Sequence, residues 1–266
     1  MTHLSALCTS DPSLVACELE RLRAGVDFPL GGVAGLGAYA DDQVVLKRFG
    51  QGVPRDDMWE VPESVSVLIC AEDLAVGEGL EESSQPFRFR QWLFGFTAAQ
   101  PVPLGLRDVL VANLPEFLAR GVKGRTVGEA AFFTFLSGLR ELGRLEDPTV
   151  DSTLAAKLLA TAAQKVSERA QGLGVAMVAT NGVVTAAGRQ GSVPLHYALL
   201  EGDPRCVRCE NAKGHKSTES LERDHKRRRS VVMTTHPKPG PLWIEFPPGA
   251  ALAVDKTLAA QRIGFR

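Results

Sequence analysis

Hydrophobic positions along this chain change period twice, from strand-like to helical and back. Short apolar runs predict strands over residues 3–8, 65–70 and 92–96, and a hairpin with arms at 35–40 and 43–49 turning on Asp41-Asp42. Between the first strand and the hairpin, Ser10 or Asp11 is placed to cap a helix with Pro12 in its first turn. Leu14, Val15, Leu19 and Leu22 give that helix one apolar face. From Leu104 the period becomes helical. One helix is marked by Leu106, Val109, Leu110, Leu114 and Phe117, a second runs over 129–142, and a third is capped by Asp151 or Ser152 with Leu154, Leu158, Leu159, Ala162 and Val166 on one side. Strands resume at 175–180, 183–187, 195–200, 230–235, 242–246 and 250–254, the first two joined by an Asn181-Gly182 turn. Strands, then helices, then antiparallel strands exclude a parallel doubly wound sheet. They predict an α+β fold of two antiparallel sheets with helices packed outside.

Composition adds limits. The 266 residues can bury a large core, with no internal repeat and no linker that divides them, so one domain spanning 1–266 is expected. Hydrophobic residues at 44%, charged residues at 23% and a net charge of −1 fit a soluble globular chain, and no apolar run is long enough to span a bilayer. Five cysteines (Cys8, Cys17, Cys70, Cys206, Cys209) and no visible secretory signal read as a reducing, cytoplasmic setting.

Residues 203–229 stand apart as a polar insertion, with nine Lys/Arg against five Asp/Glu. Within them Cys206-Val207-Arg208-Cys209 could present two thiolates to one zinc ion, with His215 and His225 completing a structural tetrahedron. The competing reading is two ordinary thiols in a polar loop. Lys226-Arg227-Arg228-Arg229 could meet an acidic partner, but more often such a run is a solvated loop end. No interleaved aromatics support nucleic-acid stacking. His196 and His236, at strand positions, read as packed or surface residues.

Four stretches taken in order resemble the class II glutamine amidotransferases, whose glutaminase domain uses an N-terminal nucleophile. Gly31-Gly32-Val33-Ala34-Gly35-Leu36-Gly37 is similar to the family's glycine-rich hairpin lead. Gln85-Pro86-Phe87 running to Phe96-Thr97-Ala98 is similar to its His-Pro-Phe…Asn-Gly strand. Gly124-Arg125-Thr126-Val127-Gly128-Glu129 is similar to its Gly-x-Thr-Asp-Ser-Glu helix start, and Trp243 to Gly249 to its last sheet. The resemblance implies a four-layer αββα sandwich of the N-terminal-nucleophile hydrolase type.

The resemblance also implies where chemistry should sit, and each such position is altered. Thr2 stands for the nucleophilic cysteine, and Gln85 for the histidine. Thr97 and Ala98 replace the oxyanion Asn-Gly pair. Glu72 ends the strand that should carry the carboxylate-binding Arg, and Val127 replaces the amine-binding Asp. Losing one oxyanion donor alone costs about 10²- to 10³-fold in rate. The expectation is a catalytically inactive glutaminase-like binding or scaffold module, with a protein partner or self-association and no membrane. Two alternatives stand beside it: an N-terminal-threonine hydrolase or amidotransferase using Thr2, and a pocket that senses a metabolite without turnover.

Overall fold

The computed structural model describes residues 2–28, 33–49, 59–72, 84–204, 206, 208–209 and 218–264, with the backbone alone at 218–221. Two antiparallel sheets form its centre. The seven-stranded sheet runs in the order β11 (Ile244–Glu245), β9 (His196–Leu200), β10 (Ser230–Thr234), β1 (His3–Thr9), β4 (Ser66–Glu72), β2 (Val33–Ala40) and β3 (Gln43–Phe49). The six-stranded sheet runs β13 (Ala260–Gly264), β12 (Ala250–Val254), β8 (Thr185–Gln190), β7 (Val175–Thr180), β6 (Trp92–Ala98) and β5 (Phe87–Phe89). Leu4, Leu68 and Cys70 from the first sheet meet Leu93, Val178 and Leu252 from the second in a buried core between them.

Helices cover the two outer faces. Helix α1 (Val15–Gly25) lays Leu19 and Leu22 on Leu7, Leu36 and Ile69. On the opposite side α4 (Val127–Glu141) and α5 (Ser152–Arg169) cover the six-stranded sheet, where Phe132 stacks on Phe94 with ring centroids 4.9 Å apart. The architecture is therefore the expected αββα sandwich. Every strand pairing is antiparallel because hairpins and helical excursions, not crossover helices, join the strands.

Local chemistry fixes most element ends. The Asp151 carboxylate accepts from the Leu154 N–H at 2.9 Å and caps α5. Thr126 caps α4 by accepting from the Glu129 N–H at 3.3 Å. The Glu129 carboxylate reaches back to the N–H groups of Lys123 and Gly124 at 2.9 and 2.6 Å, so the loop entering α4 is held by its own third residue. Asp41 and Asp42 both take positive φ in the tight β2–β3 turn.

Several sequence expectations need correction. The helix from Leu106 breaks at Pro115 into α2 (Leu106–Ala112) and α3 (Glu116–Ala119), because proline cannot donate in a continuing helix; Val109 and Phe117 are exposed. Asn181-Gly182 is not a two-residue turn. The Asn181 side chain accepts from the N–H groups of Val183 and Val184 at 3.0 and 2.9 Å, and that local bonding delays β8 until Thr185. Residues 203–229 contain α6 (Thr218–Arg227), and within the basic run Arg228 is buried instead of solvated. Among the described residues no helix is long and apolar enough to cross a membrane.

The aromatic layer under α4 gives a direct stability test. Phe132→Ala should cost about 3–5 kcal/mol in denaturant unfolding, against a change within about 0.5 kcal/mol for exposed Phe117→Ala.

Candidate functional site

At one end of the sandwich β1, β4, β6 and α4 converge on an open cleft of about 570 Å³. The pairing of β1 with β4 puts His3 opposite Ala71, so the residues just beyond, Thr2 and Glu72, come side by side at the cleft floor. The pairing of β5 with β6 sets Phe87 opposite Phe94, which directs Gln85 towards Phe96. There the Gln85 side chain acts as a ladder peptide would. Its Oε1 accepts from the Phe96 N–H at 2.6 Å, and its Nε2 donates to the Phe96 carbonyl at 3.0 Å. The same Nε2 donates to Glu72 Oε1 at 2.6 Å and lies 3.4 Å from Thr2 Oγ1. One amide thus joins the floor of the cleft to the edge of the second sheet. Gly35 is required behind it: a Cβ there would lie 2.0 Å from the Gln85 carbonyl oxygen.

Thr97 and Ala98 at the end of β6 form one wall, and Thr126, Val127 and Gly128 at the start of α4 form another. All six positions that the resemblance singles out (Thr2, Glu72, Gln85, Thr97, Ala98 and Val127) therefore line a single cleft. Thr97 is buried, and its hydroxyl has no hydrogen-bond partner among the described residues. Arg107 and Arg125 also reach the lining. Arg107 braces the entry to α4 by donating from Nε and Nη2 to the Gly124 carbonyl at 3.1 and 2.9 Å. Leu104 stands fully exposed on the rim. Sequence reasoning assigns neither arginine to the site: Arg107 lies on α2 outside any motif, and Arg125 falls on the unspecified position of the Gly-x-Thr stretch.

The electrostatics centre on Glu72. Burial raises its pKa from the ordinary 4.5, and hydrogen bonds from Gln85 and Thr2 offset part of that rise. His236 stacks on His3 with ring centroids 3.5 Å apart. Burial first, then the neighbouring His3 charge, push its pKa down to about 4, so it is a neutral packed ring and lies outside the cleft lining. His196 is likewise absent from the lining.

A second constellation lies where the 203–229 excursion meets α1. Cys17 on α1, Cys206, Cys209 and His225 on α6 place their ligand atoms within 4.8 Å of one another, and such a Cys3His set could hold a metal ion. Cys206, Cys209 and His225 were expected from the sequence; His215 lies outside the described residues. The fourth group in place is Cys17, which sequence spacing could not reveal because it is supplied by a helix at the other end of the chain.

No family model matches this sequence, and no curated protein matches it. Solved structures do. The chain is similar over 99% of both chains to a glutamine aminotransferase class-II domain protein from Silicibacter pomeroyi, with a TM-score of 0.60 and 17% identity. It is similar over 95% of both chains to a predicted glutamine amidotransferase from Pseudomonas aeruginosa, with a TM-score of 0.54 and 14% identity. It also matches glutamine phosphoribosylpyrophosphate amidotransferase from B. subtilis, with a TM-score of 0.54 and 11% identity, over 99% of this chain and 49% of that one. At these identities the likeness establishes a shared fold, and function rests on the site.

The raised Glu72 carboxyl gives a pH test. Folded protein holds that proton to higher pH than unfolded chain, so the contribution of Glu72 to stability is greatest below its ordinary 4.5 and is lost as pH rises towards the raised value. Glu72→Gln keeps an acceptor for Gln85 but removes the charge. Its stability relative to wild type should rise across that window and then level off, read as the denaturation midpoint against pH.

Proposed function

We propose that this protein is a relative of the class II glutamine amidotransferases that has lost the glutaminase reaction and acts as a binding module, with the surviving cleft as its ligand pocket. The observation that carries this reading is what faces the cleft. Ala98 and Val127 present hydrocarbon where the resemblance places the oxyanion glycine and the amine-binding carboxylate. Thr2 and Glu72, the groups nearest to a nucleophile and a base, are engaged by the Gln85 amide. Transition-state stabilisation needs donors aimed at developing charge, and where the resemblance places the Asn amide donor stands Thr97, whose hydroxyl is buried. Binding needs only a shaped cleft with a few polar groups, which the two arginines and the Leu104 rim provide. A protein partner or a second copy of the chain belongs to the same proposal, as what a scaffold of this kind would meet.

One observation favours a second reading. Thr2 and Glu72 lie together at the cleft floor, both within reach of Gln85 Nε2, a juxtaposition that could serve proton transfer from a threonine nucleophile. The two readings separate cleanly. Under the binding reading, purified protein releases no ammonia from glutamine above a buffer control, and hydrolyses amide or ester substrates no differently after Thr2→Ala. Turnover that Thr2→Ala abolishes would establish the threonine enzyme instead.

Restoring the thiol alone gives a further check. Thr2→Cys should remain without glutaminase activity, because residues that act as a unit gain little from one member. Ammonia release from that single variant would show that Ala98 and Val127 are not the limiting losses. For the pocket itself, Ala98→Trp should fill the cleft and abolish any thermal shift that free amino acids or their carboxylates produce in the wild type.

A further inference from the structure

The Cys3His constellation is independent of the cleft and makes a specific structural demand. Cys17 Sγ lies 3.5 Å from Cys209 Sγ, far beyond the roughly 2.05 Å of a disulfide, and all five cysteines are free thiols. Cys209 Sγ lies 3.5 Å from His225 Nε2. Ligands about 2.3 Å (sulfur) and about 2.0–2.1 Å (nitrogen) from one tetrahedral zinc ion stand roughly 3.5–3.8 Å apart. These two separations fall at the near edge of that range, and the whole set fits within 4.8 Å. Four polar ligand atoms from three separate segments do not meet at one point without a reason. Apolar contact alone would bury a thiol anywhere on the α1 face.

The surroundings point the same way. Cys17 and Cys206 are buried with Leu14, and Cys209 packs against them half-buried. His225 is 1% exposed, an unusual depth for a histidine on a helix as polar as α6. Beside the set lies Arg228, also buried and ion-paired with the buried Glu18 at 2.6 Å; its charge acts on both Cys206 and Cys209. Its two terminal nitrogens have no hydrogen-bond partner among the described residues. Three thiolates and a neutral imidazole around a divalent ion carry a net charge of −1, which a guanidinium would balance as a partner in the outer shell. Behind the ligands the backbone is tightly apposed: a Cβ on Gly202 would lie 2.3 Å from the Lys226 carbonyl oxygen.

We propose that Cys17, Cys206, Cys209 and His225 bind one structural zinc ion that clasps the 203–229 excursion to helix α1. On binding, the three thiols release their protons to solvent and His225 ligates as the neutral ring through Nε2. Four protein ligands leave no position for water or substrate, so the ion holds structure and does no chemistry. Its mechanical effect is local, because the two sheets have their own apolar core.

Elemental analysis of the reduced, full-length protein should find about one zinc per chain, as a single four-ligand site requires. Cys17→Ser should lower that stoichiometry, whereas His215→Ala should leave it unchanged. Cobalt(II) added to metal-stripped wild-type protein should give the ligand-field and thiolate charge-transfer absorption of a tetrahedral site, a readout that needs no variant to fold. Zinc should also protect 203–229 from proteolysis with little change in the circular dichroism of the rest. A reduced protein that takes up no zinc and gives no tetrahedral cobalt spectrum would overturn the proposal. So would zinc lost in His215→Ala but kept in Cys17→Ser, or a Cys17–Cys209 disulfide as the form in which the protein is isolated from the cell.

Discussion

The cleft depends on one side-chain amide. Gln85 stands where β5 has not yet begun, and its carboxamide completes the ladder of β6 by bonding both the N–H and the C=O of Phe96. Because the same nitrogen also reaches Glu72, the second sheet is tied to the floor supplied by the first. Buried backbone groups must be paired, and an orphaned amide costs about 1–3 kcal/mol, so Gln85 cannot be released to serve a substrate without loss. The arrangement that gives this end of the sandwich its shape also engages the groups that chemistry would need free.

The same kind of constraint shapes the rest of the cleft. The walls are made by structural requirements that do not depend on turnover. Gly35 must stay small against the Gln85 carbonyl, and Glu129 must hold the loop that delivers Arg125, Thr126 and Val127. Buried Phe87, Phe94 and Phe96 must meet α4. Ala98 and Val127 line the same cleft with hydrocarbon.

What the sequence made legible follows from locality. Strands β7 and β12 matched their expected bounds, and α5 began at its expected cap, because period, turn chemistry and capping are written within a few adjacent residues. The six cleft positions were legible only through the resemblance; nothing in the spacing of Thr2, Glu72 and Gln85 says that sheet register will bring them together. Strand β13, helix α6 and the place of Cys17 in the cysteine–histidine cluster were missed for a related reason. Strand β13 is weakly apolar and largely exposed, and α6 is polar enough to read as loop. Cys17 reads as one more apolar residue of α1 until the fold brings the 203–229 excursion against it. Arg228 shows the limit of charge patterning: a basic run predicts a solvated surface, yet one of its members is buried against Glu18.

A binding role for the cleft requires that no covalent intermediate form at Thr2. Incubating the protein with an electrophilic diazoketone analogue of glutamine, followed by intact-mass and peptide mapping, tests this in one step. A binding module should show an unchanged mass at Thr2 after prolonged exposure, with a class II glutaminase labelled in parallel. A stoichiometric adduct mapped to Thr2 would contradict it.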